Sequence, residues 1–210
     1  KRTITGMLYP MHTREVRDNF FIFKLIDAPT TAPQTFYLRI VSDESLDLPL
    51  SIGTPEAIFN EHRTQEIMFG MFIGTMLILL AYNFFIYVSV RESTYLYYIL
   101  YMVVVLVLND MMVIGFGFEY LWPETPAINL FTYSLTATIC ICMILFSSAF
   151  LSTAATVPLL HKAFYIFYGI SAIIITLNVT RNYYWANVLS QVEVLFLFVY
   201  LFIVGIVCYR

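Results

Sequence analysis

Apolar and polar positions divide the chain near residue 67. Before it, short runs of β-branched and aromatic residues are separated by polar punctuation. After it come five long apolar runs, at 67–90, 95–117, 127–152, 160–179 and 186–209. A helix needs about 20 residues to cross about 30 Å of hydrocarbon, so each run is predicted to span a bilayer once. The breaks at 91–94, 118–126, 153–158 and 180–185 are short, which sets neighbouring spans antiparallel. The stretch 70–98, GMFIGTMLILLAYNFFIYVSVRESTYLYY, holds the first turn of this bundle, at Arg91-Glu92-Ser93.

In the polar part, strands are predicted at 3–8, 19–26, 35–42 and 46–52, punctuated by Pro10, Asp27-Ala28-Pro29, Ala32-Pro33 and Asp43-Glu44. Phe36, Leu38 and Ile40 alternate with Tyr37, Arg39 and Val41, the pattern of a strand with one buried face. Four strands bury too little surface to stand alone, so residues 1–53 read as the C-terminal part of a β-sandwich. His12, Arg14, Arg17 and Arg39 read as solvated surface rather than ligand contacts. Thr54-Pro55-Glu56 supplies an N-cap, a first-turn proline and an acid at the positive end of a helix, so a linker helix is expected over 54–66.

Composition agrees. Sixty per cent of residues are hydrophobic and 12% charged, which makes a soluble domain untenable. Seven of eleven Lys and Arg and nine of fourteen Asp and Glu precede Ile67, so two regions face different solvents. A net charge of −3 points to no nucleic-acid partner. With the polar region outside, inner ends carry Arg91, Lys162 and Arg210 against Arg181 alone outside, so the N-terminal region is placed outside. Aromatics mark both interfaces: Tyr120, Trp122, Tyr183, Tyr184 and Trp185 outside; Tyr87, Tyr95, Tyr97 and Tyr98 inside. The chain starts on Lys1 and ends at Arg210 directly after an apolar run, and both ends read as cuts in a longer protein.

The strings Y-L-R-I-V-S, Leu48-Pro49-Leu50, G-M-F-I-G with A-Y-N-F-F-I-Y, and R-E-S-x-Y-L-Y-Y resemble the bacterial seven-transmembrane receptors with diverse intracellular signalling modules (7TMR-DISM). Gly115 and Tyr120-Leu121-Trp122-Pro123 resemble the segment between that family's second and third helices. The resemblance implies a periplasmic β-jelly-roll that binds carbohydrate or a related ligand, then seven helices, five of them present here. It also implies a histidine kinase, diguanylate cyclase or phosphatase-like module inside the cell, and a location in the bacterial inner membrane. Its motifs are structural, not catalytic.

Candidate chemistry is sparse. Gly70 and Gly74 form a small-xxx-small pair, read first as packing within the bundle and second as a homodimer face. Asn83 is expected to hydrogen-bond a neighbouring helix. Asp110 and Glu193 fall within predicted spans, where a carboxyl should face protein or a wet cavity. By helix rise, Glu193 lies about 10 Å below Ala186 and Asp110 about 22 Å beyond Tyr95, both in the outer third of the membrane. With Asn109, Gln191, Asn129, Asn178 and Asn187 near that level, and Arg181 as the nearby cation, they outline an outward-opening polar pocket between the second to fifth spans. The plainer alternative is a wet bundle end without a ligand. Cys140, Cys142 and Cys208 have neither disulfide nor metal spacing, and His161-Lys162 is expected to meet lipid headgroups. No metal or cofactor motif and no catalytic motif occurs.

The leading function is a transmembrane sensory receptor for a small extracytoplasmic ligand, non-enzymatic over these residues, whose partners are the bilayer, the ligand and a second copy. The alternative is a transporter using Asp110 and Glu193 as a cation or proton site. Against it stand the absence of an internal repeat, of a proline-broken span and of an acid near the midplane.

Overall fold

A computed structural model describes residues 3–6, 9–16, 18, 20–25, 35–41, 50–109 and 132–209. Among the described residues six α-helices follow in order: α1 Pro55–Val90, α2 Ser93–Asn109, α3 Thr132–Phe150, α4 Thr153–Thr156, α5 Pro158–Val179 and α6 Tyr183–Tyr209. Four stretches of these residues are long and apolar enough to cross a membrane: Glu66–Val90, Thr132–Phe150, Pro158–Val179 and Tyr183–Cys208. The predicted second span is helical through Asn109; its remainder and the start of the third lie outside the described residues.

The linker and the first span are one helix. Thr54 caps it, its Oγ1 accepting the Ala57 N–H at 3.3 Å, and Pro55 opens the first turn with a fixed φ and no N–H to strand. Nothing interrupts the next 36 residues, about 54 Å of helix. Among its half-buried positions, Phe69, Ile73, Met76, Leu80, Asn83 and Tyr87 recur in alternating steps of four and three. That is the seam of two helices packed nearly parallel to one another's axes, and the partner is α2. A Cβ on Gly70 or Gly74 would meet nothing within 4 Å, so no described helix uses the small-residue face. Asn83 sits on the seam, but its amide donates to Leu79 O at 2.8 Å on its own helix rather than to a neighbour. A carbonyl one turn back is always within reach.

Three non-glycine residues among the described ones take the left-handed region, each at a helix end. Arg91 (φ 59°) ends α1, its N–H on Tyr87 O at 2.7 Å. Ser152 (φ 47°) precedes α4, a single turn where the sequence showed only a polar break. Arg181 (φ 62°) closes α5: Asn182 N–H reaches Leu177 O at 2.9 Å and Arg181 N–H reaches Asn178 O at 3.1 Å, a Schellman motif.

Contacts between sequence-distant residues fix the helix directions. Tyr98 near the start of α2 packs on Phe146 near the end of α3, with ring centroids 5.1 Å apart. Asn178 at the end of α5 bonds Ser134 at the start of α3. Tyr200 of α6 donates to Leu160 O of α5 at 2.6 Å. The helices alternate, so α1, α3 and α6 begin at one end of the bundle, and α2 and α5 begin at the other, the hairpin end. α3, α5 and α6 pack mutually around Cys140, Ile144, Phe164 and Leu197, with Phe167, Tyr168, Val194 and Leu201 against them. α2 lies on α3, and α1 on α2.

No strand occurs among the described residues of the N-terminal region, which hold one 3₁₀ turn, Met11–Thr13. The segment 35–41 is exposed on both faces, Tyr37 at 94% and Ile40 at 38%, so the expected buried face is not met there. Extended backbone becomes a strand only when a neighbour takes its N–H and C=O groups, and no described segment does. Parts of all four predicted strands, and Arg17, lie outside the described residues. His12 and Arg39 are exposed, but Arg14, read as surface, is buried. Its guanidinium lies 4.8 Å over the Phe21 ring and donates to Asp18 O, contacts that hold it against protein.

Removing the cap with Thr54→Ala should weaken the start of α1 by about 1 kcal/mol. Amide exchange should quicken at residues 57 and 58 and stay unchanged beyond residue 66.

Candidate functional site

The inward faces of α3, α5 and α6 carry the buried polar groups. On α6 the buried positions are Ala186, Ser190, Glu193, Leu197 and Val204, a stripe at helical spacing. On α5 they are Phe164, Ser171, Ile174 and Asn178. Because the two helices run antiparallel, Ser171 meets Glu193 while Leu160 meets Tyr200. Ser171 Oγ donates to Glu193 Oε1 at 2.5 Å, with Glu193 only 1% exposed. Glu193 Oε2 is buried and has no described partner. Cys140 of α3 lies at the same level and within electrostatic reach of the carboxyl.

About 10 Å nearer the end where α6 begins, Asn178 Nδ2 donates to Ser134 Oγ at 2.8 Å, and Asn178 Oδ1 is buried without a described partner. Ser190 lies between the two levels, its hydroxyl turned back to Asn187 O at 2.8 Å. Polar groups thus occur at two depths of one three-helix interface, both with an acceptor to spare. Buried acceptors are normally satisfied, so each marks a place for a hydrogen-bond donor.

Of the residues singled out in sequence, Glu193 and Asn178 occupy this interior, while Gln191 and Arg181 do not join it. Gln191 is exposed on α6, its Nε2 on Asn187 Oδ1 at 2.8 Å one turn back. Two residues along a helix turn a side chain through about 200°, so Gln191 and Glu193 face opposite ways. Arg181 is exposed and serves the α5–α6 turn; Glu193 lies about 15 Å along α6 from Tyr183, beyond ion-pair reach. Arg181 forms no ion pair with a described acid. α6 begins at Tyr183 rather than residue 186, which puts Glu193 just past the outer third of the helix. Asn109 ends α2 with its side chain outside the described residues, as are Asp110 and Asn129.

Sequence reasoning missed Ser171, and Ser134 with it. The signal was Ser171's place at i+7 from Phe164 and i−7 from Asn178, on the face that carries the larger buried residues.

A second cluster occupies the hairpin end. Thr153, fully buried, donates to Ser148 Oγ at 3.2 Å and lies 2.9 Å from His161 Nδ1. Its one hydroxyl hydrogen serves Ser148, so Nδ1 of His161 is the donor to Thr153. His161 is therefore half-buried against α3 and α4, with Phe164 and Tyr165 edge-on to its ring, rather than turned to headgroups. The described residues bring together no group of three metal-ligating side chains.

Residues 65–210 match the family model described as 7TM diverse intracellular signalling, and residues 1–54 match the one described as 7TMR-DISM extracellular 2. No curated protein and no solved structure matches the chain. The extracellular match immediately precedes α1, so the end where α1, α3 and α6 begin is the extracellular one. The Asn178–Ser134 level is then the outer level and Ser171–Glu193 the deeper one.

Ser171→Ala would leave a second carboxyl oxygen unpartnered and should lower stability by about 1 kcal/mol. Unfolding titrations of the protein in mixed micelles should show it, with Gln191→Ala leaving the midpoint in place.

Proposed function

Because the chain belongs to the 7TM diverse intracellular signalling family, we propose that it is the sensing and membrane-crossing part of a receptor in a bacterial inner membrane. Its periplasmic N-terminal region takes a small ligand, carbohydrate or a chemical relative. The helices relay occupancy to a cytoplasmic output module, a diguanylate cyclase or a histidine kinase, and catalysis belongs to that module.

The observation that carries this reading is α1. One unbroken helix joins the end of the extracellular match to the inner hairpin at Arg91. A receptor transmits only if its ligand favours one packing of the membrane helices over another. A continuous helix does this without a hinge: a rotation or tilt imposed at Thr54 arrives at Val90.

Alanine insertions between Ile58 and Glu66 test the rod in the full-length receptor. Each inserted residue rotates the outer end by about 100° relative to the span. Basal output should change with one or two insertions and return with four, close to a full turn. Output that ignores insertion number, or declines steadily with it, would sink the coupling role of α1.

A further inference from the structure

Glu193 is the one described acid inside the three-helix interface, and its surroundings supply no countercharge. On α5, His161 and Lys162 lie ten and nine residues inward of Ser171, and Arg181 ten residues outward, each about 14–15 Å away along the axis. α2 and α3 contain no Lys, Arg or His among their described residues. The described titratable groups nearest the carboxyl are weak acids. α3 presents Cys140, beside which α2 places Tyr101. α5 presents Tyr168 one turn inward, and α6 its own Tyr200 two turns inward, with its hydroxyl hydrogen on Leu160 O.

An ionised carboxyl held there by a single serine would be an uncompensated charge in a low-dielectric interior, at a cost of several kcal/mol. A neutral acid escapes that cost. Ser171 already occupies Oε1, and Oε2 is the oxygen left open. The route to it is also marked. Ser190 lies one turn outward on the same α6 face, and the Ser134–Asn178 pair beyond it keeps the Asn178 oxygen open. The inward side is closed by Ile144, Phe164 and Leu197.

We propose that Glu193 is a proton-binding site inside the membrane bundle, filled from the extracellular side past Ser134, Asn178 and Ser190. The proton comes from hydronium at the outer surface, bonds to Oε2 and leaves a water behind. Ser171 positions the carboxyl by holding Oε1. When the proton departs, the charge is left between α5 and α6, where only water can solvate it, so occupancy bears directly on the contact between those helices. External acidity thereby becomes an input to the bundle separate from any ligand of the N-terminal region. The site stands or falls without reference to the receptor's output.

Infrared difference spectra of the receptor in lipid vesicles, recorded as external pH is stepped, read the acid directly. A protonated carboxyl has a carbonyl stretch well separated from the amide bands, and labelling glutamate with ¹³C at the carboxyl moves it. The expected result is a pH-dependent glutamic acid band that disappears in Glu193→Gln and shifts upward in Ser171→Ala, where the hydrogen bond to Oε1 is lost. If Glu193→Gln fails to assemble, the Ser171→Ala shift decides alone. Asn178→Leu should slow the band's response to an external pH jump severalfold. A band unchanged in both Glu193→Gln and Ser171→Ala overturns the site. A band that follows internal but not external pH overturns the route. The spectrum needs no output module, so failure of the proton site and failure of the receptor reading are separate results.

Discussion

A carboxyl inside hydrocarbon must find its partner within the protein, and the Ser171–Glu193 hydrogen bond is where this chain meets that demand. The bond fixes more than one side chain. Once Ser171 faces Glu193, antiparallel register sets Leu160 against Tyr200 and turns Phe164 and Leu197 into the same core. α3 then closes the third side, because Ser134 must reach Asn178 at one end and Ser148 must reach Thr153 at the other. Apolar packing alone would not select this register. Lipid tails are as apolar as leucine, so helices in a bilayer are aligned by close fit and by polar pairs.

α1 obeys a different constraint. It touches the rest of the bundle along one seam with α2, and most of its membrane stretch is exposed to lipid. Thr75 bonds Met71 O and Asn83 bonds Leu79 O on their own helix, and among the described residues no polar pair binds α1 to a neighbour. Dispersion along a seam resists sliding and rotation less than a buried hydrogen bond does. The three-helix core is thus the fixed part of the molecule and α1 the part able to move against it. That division suits a helix whose outer third lies beyond the membrane-crossing stretch and leads into the extracellular match.

Much of this was legible in the sequence, and the failures have physical causes. Runs of apolar residues announce spans because the bilayer sets their length, and Thr54-Pro55 announced the start of α1 because an N-cap is a local event. The continuity of α1 past residue 66 was not legible: hydropathy records the change of solvent there, while the backbone hydrogen bonds take no notice of it. Arg181 was read as a cation able to pair with an acid, but its backbone is what matters, closing α5 in a conformation that leaves its side chain at the surface. Gln191 and Glu193 looked like neighbours at one depth, and depth without azimuth cannot show that they face opposite ways. Ser171 was invisible as a partner because a lone serine in a span is ordinary until its register against another helix is known. The alternation at 36–40 predicted a paired strand, and pairing depends on residues far along the chain.

The distribution of polarity along the core also bears on mechanism. Its outer half contains Ser134, Asn178, Ser190, Ser171 and Glu193, two of them with an oxygen to spare. Its inner half is Ile144, Phe164 and Leu197 with Phe167, Tyr168 and Val194 against them, beneath which Tyr200, His161 and Thr153 bond to protein partners. Water or a proton can be accommodated down to Glu193, but the next described layer is mostly apolar, with Tyr168 as its polar side chain. A through-path for a solute would need more polar groups there. What can cross that layer is a change in how the helices pack, since displacing Glu193 moves α6 and, through Leu197 and Tyr200, the start of α5. An interface wet at the outer end and dry at the inner end converts chemistry on one side into geometry on the other, which is the task of a receptor rather than of a carrier.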